Sequence, residues 1–258
     1  NFEEGLEVYV WPGTTFKPGQ NTQFDAADMR GSLVGSGETI TVKGDFSFAG
    51  SGAFTHGNSP VVFSGTGTQT IVPNGCSFKN MTFSGGGTYK FSDSQAMTVT
   101  GVFNLTSGTF VADDDKDLIL QGNVTIASGS TFTKSTGTAK TQLRGDLTLT
   151  DSNTTKQNLG KLVIGGSPDN VTLGSDLTAE TVEVTAANTL TTAGYSITTT
   201  TADGISVSGT LTQSGAGDLV TDKVTIVSGA TWSQTGGTDL DAAKITVGSG
   251  GVSVSGTV

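Results

Sequence analysis

The sequence predicts an all-β protein, built for most of its length as a single-stranded parallel β-helix (a β-solenoid) of about 11 coils. Three observations predict this class: a short motif recurs at a nearly constant spacing, each copy alternates as a strand does, and helix formers are scarce. The 258 residues include 38 glycines, serine and threonine are abundant, and only 14% of residues are charged. Because glycine, serine and threonine have low helix propensity, the composition disfavours a helical protein.

The recurring motif is clearest in two decapeptides, Val124–Thr133 and Val224–Ser233, which nearly superpose and carry an aromatic residue at the ninth position. Each copy has an apolar, a polar and an apolar residue, then a Ser/Gly turn, then an aromatic or aliphatic residue. Such alternation is typical of a short strand with one buried face. The first apolar residues of the whole series are Phe46, Val61, Met81, Phe103, Val124, Leu147, Leu162, Val182, Ile205, Val224 and Ile245.

Successive copies lie about 20 residues apart, except for two steps of 15 residues, from Phe46 to Val61 and from Leu147 to Leu162. We interpret the two short steps as coils that lose a turn or a strand. An antiparallel sandwich or barrel has no reason to repeat its sequence at coil spacing, whereas stacked coils place like residues above like residues. The spacing therefore favours parallel stacking, and 11 coils at about 4.8 Å predict a length on the order of 50 Å.

Residues 38–258 resemble the β-helical repeats of bacterial secreted surface proteins, such as autotransporter passengers and filamentous haemagglutinin-like adhesins. The resemblance is carried by the coil-spaced motif and by the segments Gly65–Ile71 and Phe78–Phe83. The irregular coil lengths are typical of the right-handed form, so we expect a right-handed β-helix with coils of about 20 residues. The resemblance implies secretion to the cell surface, and it brings no catalytic residue with it.

The first 37 residues differ from the rest, and we predict a division into an N-terminal strand and cap segment, 1–37, and a β-solenoid, 38–258. Glu7–Trp11 reads as a strand that ends at Pro12, and Asp25–Arg30 is compatible with one helical turn. A solenoid needs such a segment to cover the open edge of its first coil.

The other end, Val252–Val258, still alternates where the sequence stops, and three explanations stay open. The sequence is cut from a longer chain, the last coil stacks on another subunit to make a fibre, or a loop folds back over it. In the fibre, the strand Leu6–Val10 adds to the open end of a neighbour by β-augmentation. The residues predicted for this end-to-end interface are Leu6, Val8, Val10, Val252 and Val254.

Charge and cysteine usage exclude several partners and cofactors. A formal net charge of −10 disfavours nucleic-acid binding. No apolar run is long enough for a transmembrane helix, so no membrane insertion is expected. The single cysteine, Cys76, rules out an internal disulfide and a cysteine zinc cluster.

The sequence contains only weak candidates for metal binding or catalysis. The cluster Asp113, Asp114, Asp115 and Asp117 offers oxygen ligands for Ca²⁺, but its spacing matches no known calcium loop, and a solvated turn is the simpler interpretation. The lone histidine, His56, lies in a predicted turn and is expected to have no catalytic role. Thr-x-Thr pairs, which order water in ice-binding proteins, are spaced irregularly here, so we expect ordinary outward threonines at Thr39/Thr41, Thr98/Thr100, Thr131/Thr133, Thr148/Thr150 and Thr210/Thr212.

Together these features predict a non-enzymatic, extracellular structural protein without cofactors. We expect a secreted or cell-surface solenoid that acts as an adhesin stalk, a sheath or a self-assembling filament subunit, with end-to-end self-association and surface glycans as possible partners. The alternative is a carbohydrate-binding or polysaccharide-degrading β-helix. Such an enzyme needs carboxylates clustered on one face. The candidate pairs, such as Glu180 and Glu183, are thinly spread along the chain, which disfavours this alternative.

Overall fold

The computed structural model describes residues 7–113, 115–166, 168–235, 240–248 and 253–255. The described chain is all-β without a helix and forms a parallel β-solenoid of about 11 turns, with about 21 residues per turn. The predicted fold class is therefore confirmed, while its right-handed sense stays a prediction. Contacts divide the chain into two compact units, Asn1–Leu120 with Thr125–Ala139 and Gln121–Val124 with Lys140–Val258.

The strands are short, as expected where a Gly or Ser corner follows every few residues. Those up to the end of the first unit are β1 (Glu7–Val10), β2 (Thr15–Phe16), β3 (Thr22–Phe24), β4 (Ala26–Met29), β5 (Ser32–Val34), β6 (Ile40–Val42), β7 (Phe46–Phe48), β8 (Ala53–Thr55), β9 (Pro60–Phe63), β10 (Thr68–Val72), β11 (Ser77–Phe78), β12 (Asn80–Phe83), β13 (Thr88–Phe91), β14 (Met97–Val99), β15 (Phe103–Leu105), β16 (Thr109–Val111), β17 (Leu118–Leu120), β18 (Val124–Ile126) and β19 (Thr131–Thr133).

The remaining strands belong to the second unit, and two of them are eight residues long. They are β20 (Lys140–Leu143), β21 (Leu147–Asp151), β22 (Lys161–Ile164), β23 (Asn170–Leu173), β24 (Leu177–Ala179), β25 (Thr181–Val184), β26 (Thr189–Thr191), β27 (Ile197–Thr199), β28 (Ile205–Val207), β29 (Thr210–Ser214), β30 (Leu219–Ile226), β31 (Thr231–Thr235), β32 (Leu240–Val247) and β33 (Ser253–Ser255).

The first unit has three faces, and each turn of the chain visits them in the same order. The first face consists of β1, β4, β7, β10, β13, β16 and β19. The second strand of each turn belongs first to a separate three-stranded sheet of β2, β5 and β8 and then to another sheet, which begins with β11, β14 and β17. The third face consists of β3, β6, β9, β12 and β15. Pairing is parallel, so like positions stack: Met81 pairs with Val61 of the turn before and with Phe103 of the turn after.

The second unit is also wound from three sets of parallel strands. One set consists of β21, β23, β26, β29, β31 and β33, another of β20, β22, β25 and β28, and the third contains β24 and β27. The long strand β30 joins the last two sets, because Leu219 pairs with Ile197 of β27 and Val224 pairs with Ile205 of β28.

The interior of each unit is filled by the inward residues of these strands. In the first unit many of them are aromatic, and Phe46, Phe63, Phe83 and Phe110 are fully buried. In the second unit they are mostly aliphatic, apart from the buried ring of Trp232. Stacked parallel turns bring equivalent side chains into contact, so burial of apolar area repeats from turn to turn and fixes the register of the strands.

The segment predicted as a helical turn, residues 25–30, is the strand β4, so that prediction was wrong. Ala27 and Met29 are buried while Asp28 between them is exposed, which is the period of a strand rather than of a helix. The strand lies between β1 and β7 and hydrogen-bonds to both, which outweighs a local helical preference. The described part of 1–37 thus pairs in the same parallel manner as the turns that follow, and its role as a cap stays a prediction.

The two short steps of the repeat arise from a change of strand set, so the interpretation that they mark coils that lose a turn was wrong. At the second step the chain between β21 and β22 does lack a strand, since Asn158 forms only an isolated bridge with Thr178. Phe46 lies in β7 on the first face, whereas Val61 lies in β9 on the third face. Leu147 and Leu162 likewise lie in two different strand sets, in β21 and β22. The series changes from one set to another at these steps, because every set uses the same apolar–polar–apolar triplet.

The two similar decapeptides, Val124–Thr133 and Val224–Ser233, form the same type of corner but at different places in the solenoid turn. Val124 and Val224 are both buried, but they belong to different sheets. In both copies the chain turns through a glycine with φ of 83°. The N–H of Ser130 donates to the Ala127 carbonyl at 3.1 Å, and that of Ala230 to the Val227 carbonyl at 3.0 Å. The repeated sequence is therefore a strand–corner–strand unit that the fold uses at more than one corner.

Candidate functional site

The acidic cluster forms a local turn between β16 and β17. One carboxylate oxygen of Asp113 accepts hydrogen bonds from the N–H groups of Asp115 (2.8 Å) and Lys116 (3.1 Å), which is the usual use of aspartate in a turn. Asp114 lies outside the described residues. Among the residues that are described, no three His, Cys, Asp or Glu side chains come together in a way that could hold a metal ion. The Ca²⁺ hypothesis for Asp113, Asp114, Asp115 and Asp117 stays a prediction.

The predicted interface residues are only partly described. Val8 and Val10 lie in β1, where Val10 is buried and Val8 is half-buried. Leu6 and Val252 lie outside the described residues, and Val254 belongs to β33, whose backbone alone is described. Within the described part of the chain, β1 pairs with β4 alone and has one open edge.

His56 is half-buried and closes a tight turn with its own neighbours. Its Nδ1 accepts from the N–H of Asn58 at 3.0 Å, and its carbonyl accepts from the N–H of Ser59 at 2.7 Å. These hydrogen bonds show that His56 stabilises the corner between β8 and β9. Glu183, a carboxylate considered for polysaccharide cleavage, lies 3.5 Å from Nζ of Lys140 in a half-exposed ion pair.

A groove of about 520 Å³ lies on the outer side of the first face, over its first three strands. Register places Tyr9, Asp28 and Ser47 in one outward column, because β1 pairs with β4 and β4 with β7. Arg30 and Asp45 complete the polar lining. We call these five residues the outer groove. They come from three successive turns, and none of them was a predicted site residue.

Tyr9 is the aromatic residue of the outer groove, and Trp11 flanks the groove through its contact with Tyr9 without lining it. The rings of Tyr9 and Trp11 meet edge to face, with centroids 5.0 Å apart. The guanidinium carbon of Arg30 lies 6.0 Å from the centre of the Tyr9 ring, within the range of a cation–π contact. Trp11 is 68% exposed, although an indole ring is large and mostly apolar.

The outward residues of β21, β23, β26, β29 and β31 form two in-register columns of hydroxyl and amide groups, which we call the hydroxyl face. Neither column contains a charged residue, and no threonine or serine hydroxyl in them hydrogen-bonds to another described protein group. One column is Asn170, Thr189, Thr210 and Thr231, and the other is Thr148, Thr172, Thr191, Thr212 and Ser233.

The hydroxyl face contains a Thr-x-Thr pair, Thr189/Thr191, that is not among the five pairs selected from the sequence. Thr210 and Thr212 lie directly beside Thr189 and Thr191 of the preceding turn. The distance of one turn between Thr189 and Thr210 is the signal in the sequence that distinguishes this pair from the irregularly spaced ones. Neighbouring threonines on parallel strands also support each other by side-chain packing.

Among the described residues, Glu38 is a carboxylic acid whose surroundings shift its pKa. Partial burial by itself raises the pKa of Glu38, but hydrogen bonds from its own backbone, Ser36 and Ser59 outweigh burial and hold this pKa below the ordinary 4.5. Its Oε2 accepts from both the N–H and the hydroxyl of Ser36 at 2.8 Å. The carboxylate thus holds the turn between β5 and β6 in place.

We expect Glu38→Gln to cost a fraction of a kcal/mol near neutral pH, because a carboxylate is the stronger acceptor and the site is partly exposed. Since the folded-state pKa is lowered, the native contribution is complete above 4.5 and is lost as pH falls through the folded-state value. Urea unfolding of both proteins near neutral pH and well below pH 4.5 checks this. A stability difference that persists unchanged in acid would contradict it.

Comparison with known protein families, with curated proteins and with solved structures finds no match to this chain. Within the described residues there is no helix long and apolar enough to cross a membrane. The class that the fold defines is the parallel β-solenoid.

Proposed function

We propose that this chain is a non-enzymatic structural segment of a secreted or cell-surface protein, serving as an adhesin stalk, a sheath or a filament subunit. The observation that supports this role is the continuous parallel pairing within each unit, where almost every strand is hydrogen-bonded to the turn before and the turn after. Such a ladder resists stretching along its axis because many backbone bonds must break together.

The surface chemistry is compatible with an extracellular structural role. The chain carries a net charge of −10, and its outward strand positions are rich in threonine and serine. Repulsion between like charges and hydration of the hydroxyl groups disfavour lateral association of neighbouring molecules. Growth at the strand edges remains open, because an edge of unpaired N–H and C=O groups accepts another strand.

The filament form of this proposal predicts concentration-dependent assembly through the open edge of β1. The Val10 carbonyl accepts from the N–H of Arg30, so the backbone groups of Val8 and Val10 face β4, and those of Tyr9 between them face the open edge. Tyr9→Pro should therefore block pairing at this edge by removing an N–H donor, while Val220→Pro in β30 is a poor control because it lies inside a ladder. A better control is Val102→Lys, an exposed change in the corner before β15. Negative-stain electron microscopy at rising concentration measures the result.

Filaments with an axial repeat near one subunit length, formed by the native chain and by Val102→Lys but not by Tyr9→Pro, support end-to-end stacking. Monomers alone at high concentration would exclude the filament and leave the stalk and the sheath. Sugar release from plant or bacterial polysaccharides that disappears on mutation of a pair of facing carboxylates would overturn the non-enzymatic role and favour the polysaccharide-degrading alternative.

A further inference from the structure

The outer groove combines side chains that a purely structural solenoid does not need. Tyr9 is 42% and Trp11 is 68% exposed, whereas the other tryptophan of the chain, Trp232, is 2% exposed. Leaving large aromatic surface in water forgoes stabilisation of about 25 cal/mol for each Å². Clustered exposed aromatic rings beside polar groups commonly mark a binding surface.

The polar lining supplies both kinds of hydrogen-bonding partner. Asp28 is exposed in the central column and has no described hydrogen bond to its carboxylate, so both of its oxygens are available as acceptors. Arg30 supplies a guanidinium that donates only. Asp45 is held in position, since one of its carboxylate oxygens accepts from the N–H of Thr70 at 2.6 Å.

We propose that the outer groove binds a neutral or amino saccharide, with one sugar ring against the Tyr9 and Trp11 side chains. A sugar ring presents apolar C–H groups on one side and hydroxyl groups around its edge. The hydroxyls both donate and accept, which matches the carboxylate of Asp28 and the guanidinium of Arg30. A volume of about 520 Å³ lies within the ordinary range of small-ligand pockets and accommodates one or two sugar rings.

Charge narrows the class of ligand further. Asp28 and Asp45 line the groove of a chain whose net charge is −10, so uronates, phosphates and nucleic acids are repelled. Arg30 in the same groove disfavours a basic peptide, because several positive charges cannot all face Asp28 and Asp45, whereas the single charge of an amino sugar can. Neutral sugars are repelled neither by the two carboxylates nor by the guanidinium, and an amino sugar gains an attractive contact with Asp28. This inference does not depend on the structural role, because a stalk, a sheath and a filament all tolerate a surface site.

Intrinsic tryptophan fluorescence reports on the edge of the outer groove, because Trp11 is exposed and contacts Tyr9, whereas Trp232 is buried in the other unit. The probes are cello-, xylo-, manno-, malto- and chito-oligosaccharides, oligogalacturonate and a lysine-rich peptide. We expect at least one neutral or amino-sugar probe to give a saturable change in emission. Trp11→Phe should abolish this emission change, since the buried indole of Trp232 does not contact the ligand.

Calorimetric titration of variants tests the residues individually. Trp11→Ala should weaken saccharide affinity about tenfold, because it removes the flanking ring against which the sugar packs, and Asp28→Asn several-fold, because it removes a charged acceptor in the central column. Tyr195→Ala is the matched control, since Tyr195 is also exposed (38%) but lies in the other unit, and it should leave affinity unchanged. Circular dichroism establishes that each variant is folded.

Three results would overturn the proposal. The first is the absence of binding to every saccharide at millimolar concentration. The second is binding that survives both Trp11→Ala and Asp28→Asn, which places the ligand elsewhere. The third is preferential binding of oligogalacturonate or of the lysine-rich peptide, which assigns the groove to a different class of partner. If Trp11→Ala does not fold, the Asp28→Asn comparison alone decides the second result.

Discussion

Phe83→Ala is expected to lower the free energy of unfolding by about 3–5 kcal/mol, the usual cost of truncating a buried phenylalanine. Phe83 is fully buried and lies at the centre of the aromatic cluster of the first unit. Its ring centroid is 4.9 Å from that of Tyr89 and 5.2–5.4 Å from those of Phe63, Phe103 and Phe110. These four rings come from three different turns, so one truncation opens a cavity that the turns share.

Urea denaturation followed by circular dichroism measures the effect. Phe83→Leu keeps most of the volume and should cost much less, while Thr82→Ala changes the outward neighbour in the same strand and should lie within about 0.5 kcal/mol of the native protein. If Phe83→Ala were no more destabilising than Thr82→Ala, the side chain of Phe83 would not lie in the interior, and the register of β12 would be wrong by one residue.

The sequence alone predicts which residues of an individual strand point inward, because apolar and polar residues alternate along it. Phe103 and Leu105 are buried and Asn104 between them is not, as the apolar–polar–apolar pattern predicts. The repeat distance then indicated stacking, since a parallel solenoid places Phe103 beside Met81 of the preceding turn. Both inferences use periodicities that are local or strictly repeated, and such signals survive in a single sequence.

The assignment of strands to faces could not be predicted in the same way. All faces use the same triplet, so a spacing of 15 residues, as between Leu147 and Leu162, is equally compatible with a short coil and with a change of strand set. Three-dimensional register resolves the ambiguity, because Leu162 pairs with Val182 and Leu147 pairs with Val171. The wrong helical turn at 25–30 has a similar cause: the partners of β4 are strands distant in sequence.

The outer groove was invisible in the sequence for a different reason. Tyr9, Asp28 and Ser47 share a column but not a residue type, so no repeat connects them. Repeats are visible where stacking demands similarity, as in the core and along the hydroxyl face. A binding site on a solenoid depends instead on turns that differ from each other, which only the register of the strands reveals.

Asn188→Ala is expected to destabilise the protein by about 3 kcal/mol, because a buried asparagine ties one corner to the turn before it. Asn188 is 2% exposed, and its Oδ1 accepts from the N–H of Asp169 at 2.8 Å. Its Nδ2 donates to the hydroxyl of Thr185 at 2.7 Å and to the carbonyl of Ala186 at 2.8 Å. Alanine would leave the buried N–H of Asp169 without its partner, and the chain between Thr185 and Asn188 would lose the contacts that hold its bend.

A second substitution separates the amide donor from the amide acceptor. Asn188→Asp keeps an acceptor for Asp169 but turns a carboxylate towards the Ala186 carbonyl, which repels it. At low pH the added acid is protonated and donates again, so its stability deficit relative to the native chain should shrink as pH falls, whereas the deficit of Asn188→Ala should not. Asn170→Ala is the matched control, because that exposed amide bonds only to surface groups.

Amide hydrogen exchange locates the loss. In Asn188→Ala the N–H of Asp169 should exchange much faster, since it loses its acceptor, and Thr189 should follow because its N–H donates to the Asp169 carbonyl at 2.8 Å. Exchange in the first unit, for example at Phe83, should not change. Acceleration at Asp169 and Thr189 alone would mean that one turn opens locally, and equal acceleration through β23, β26 and β29 would mean that stacked turns unfold as a cooperative group. The second result is the one expected, because each turn of a solenoid is stable chiefly through its neighbours.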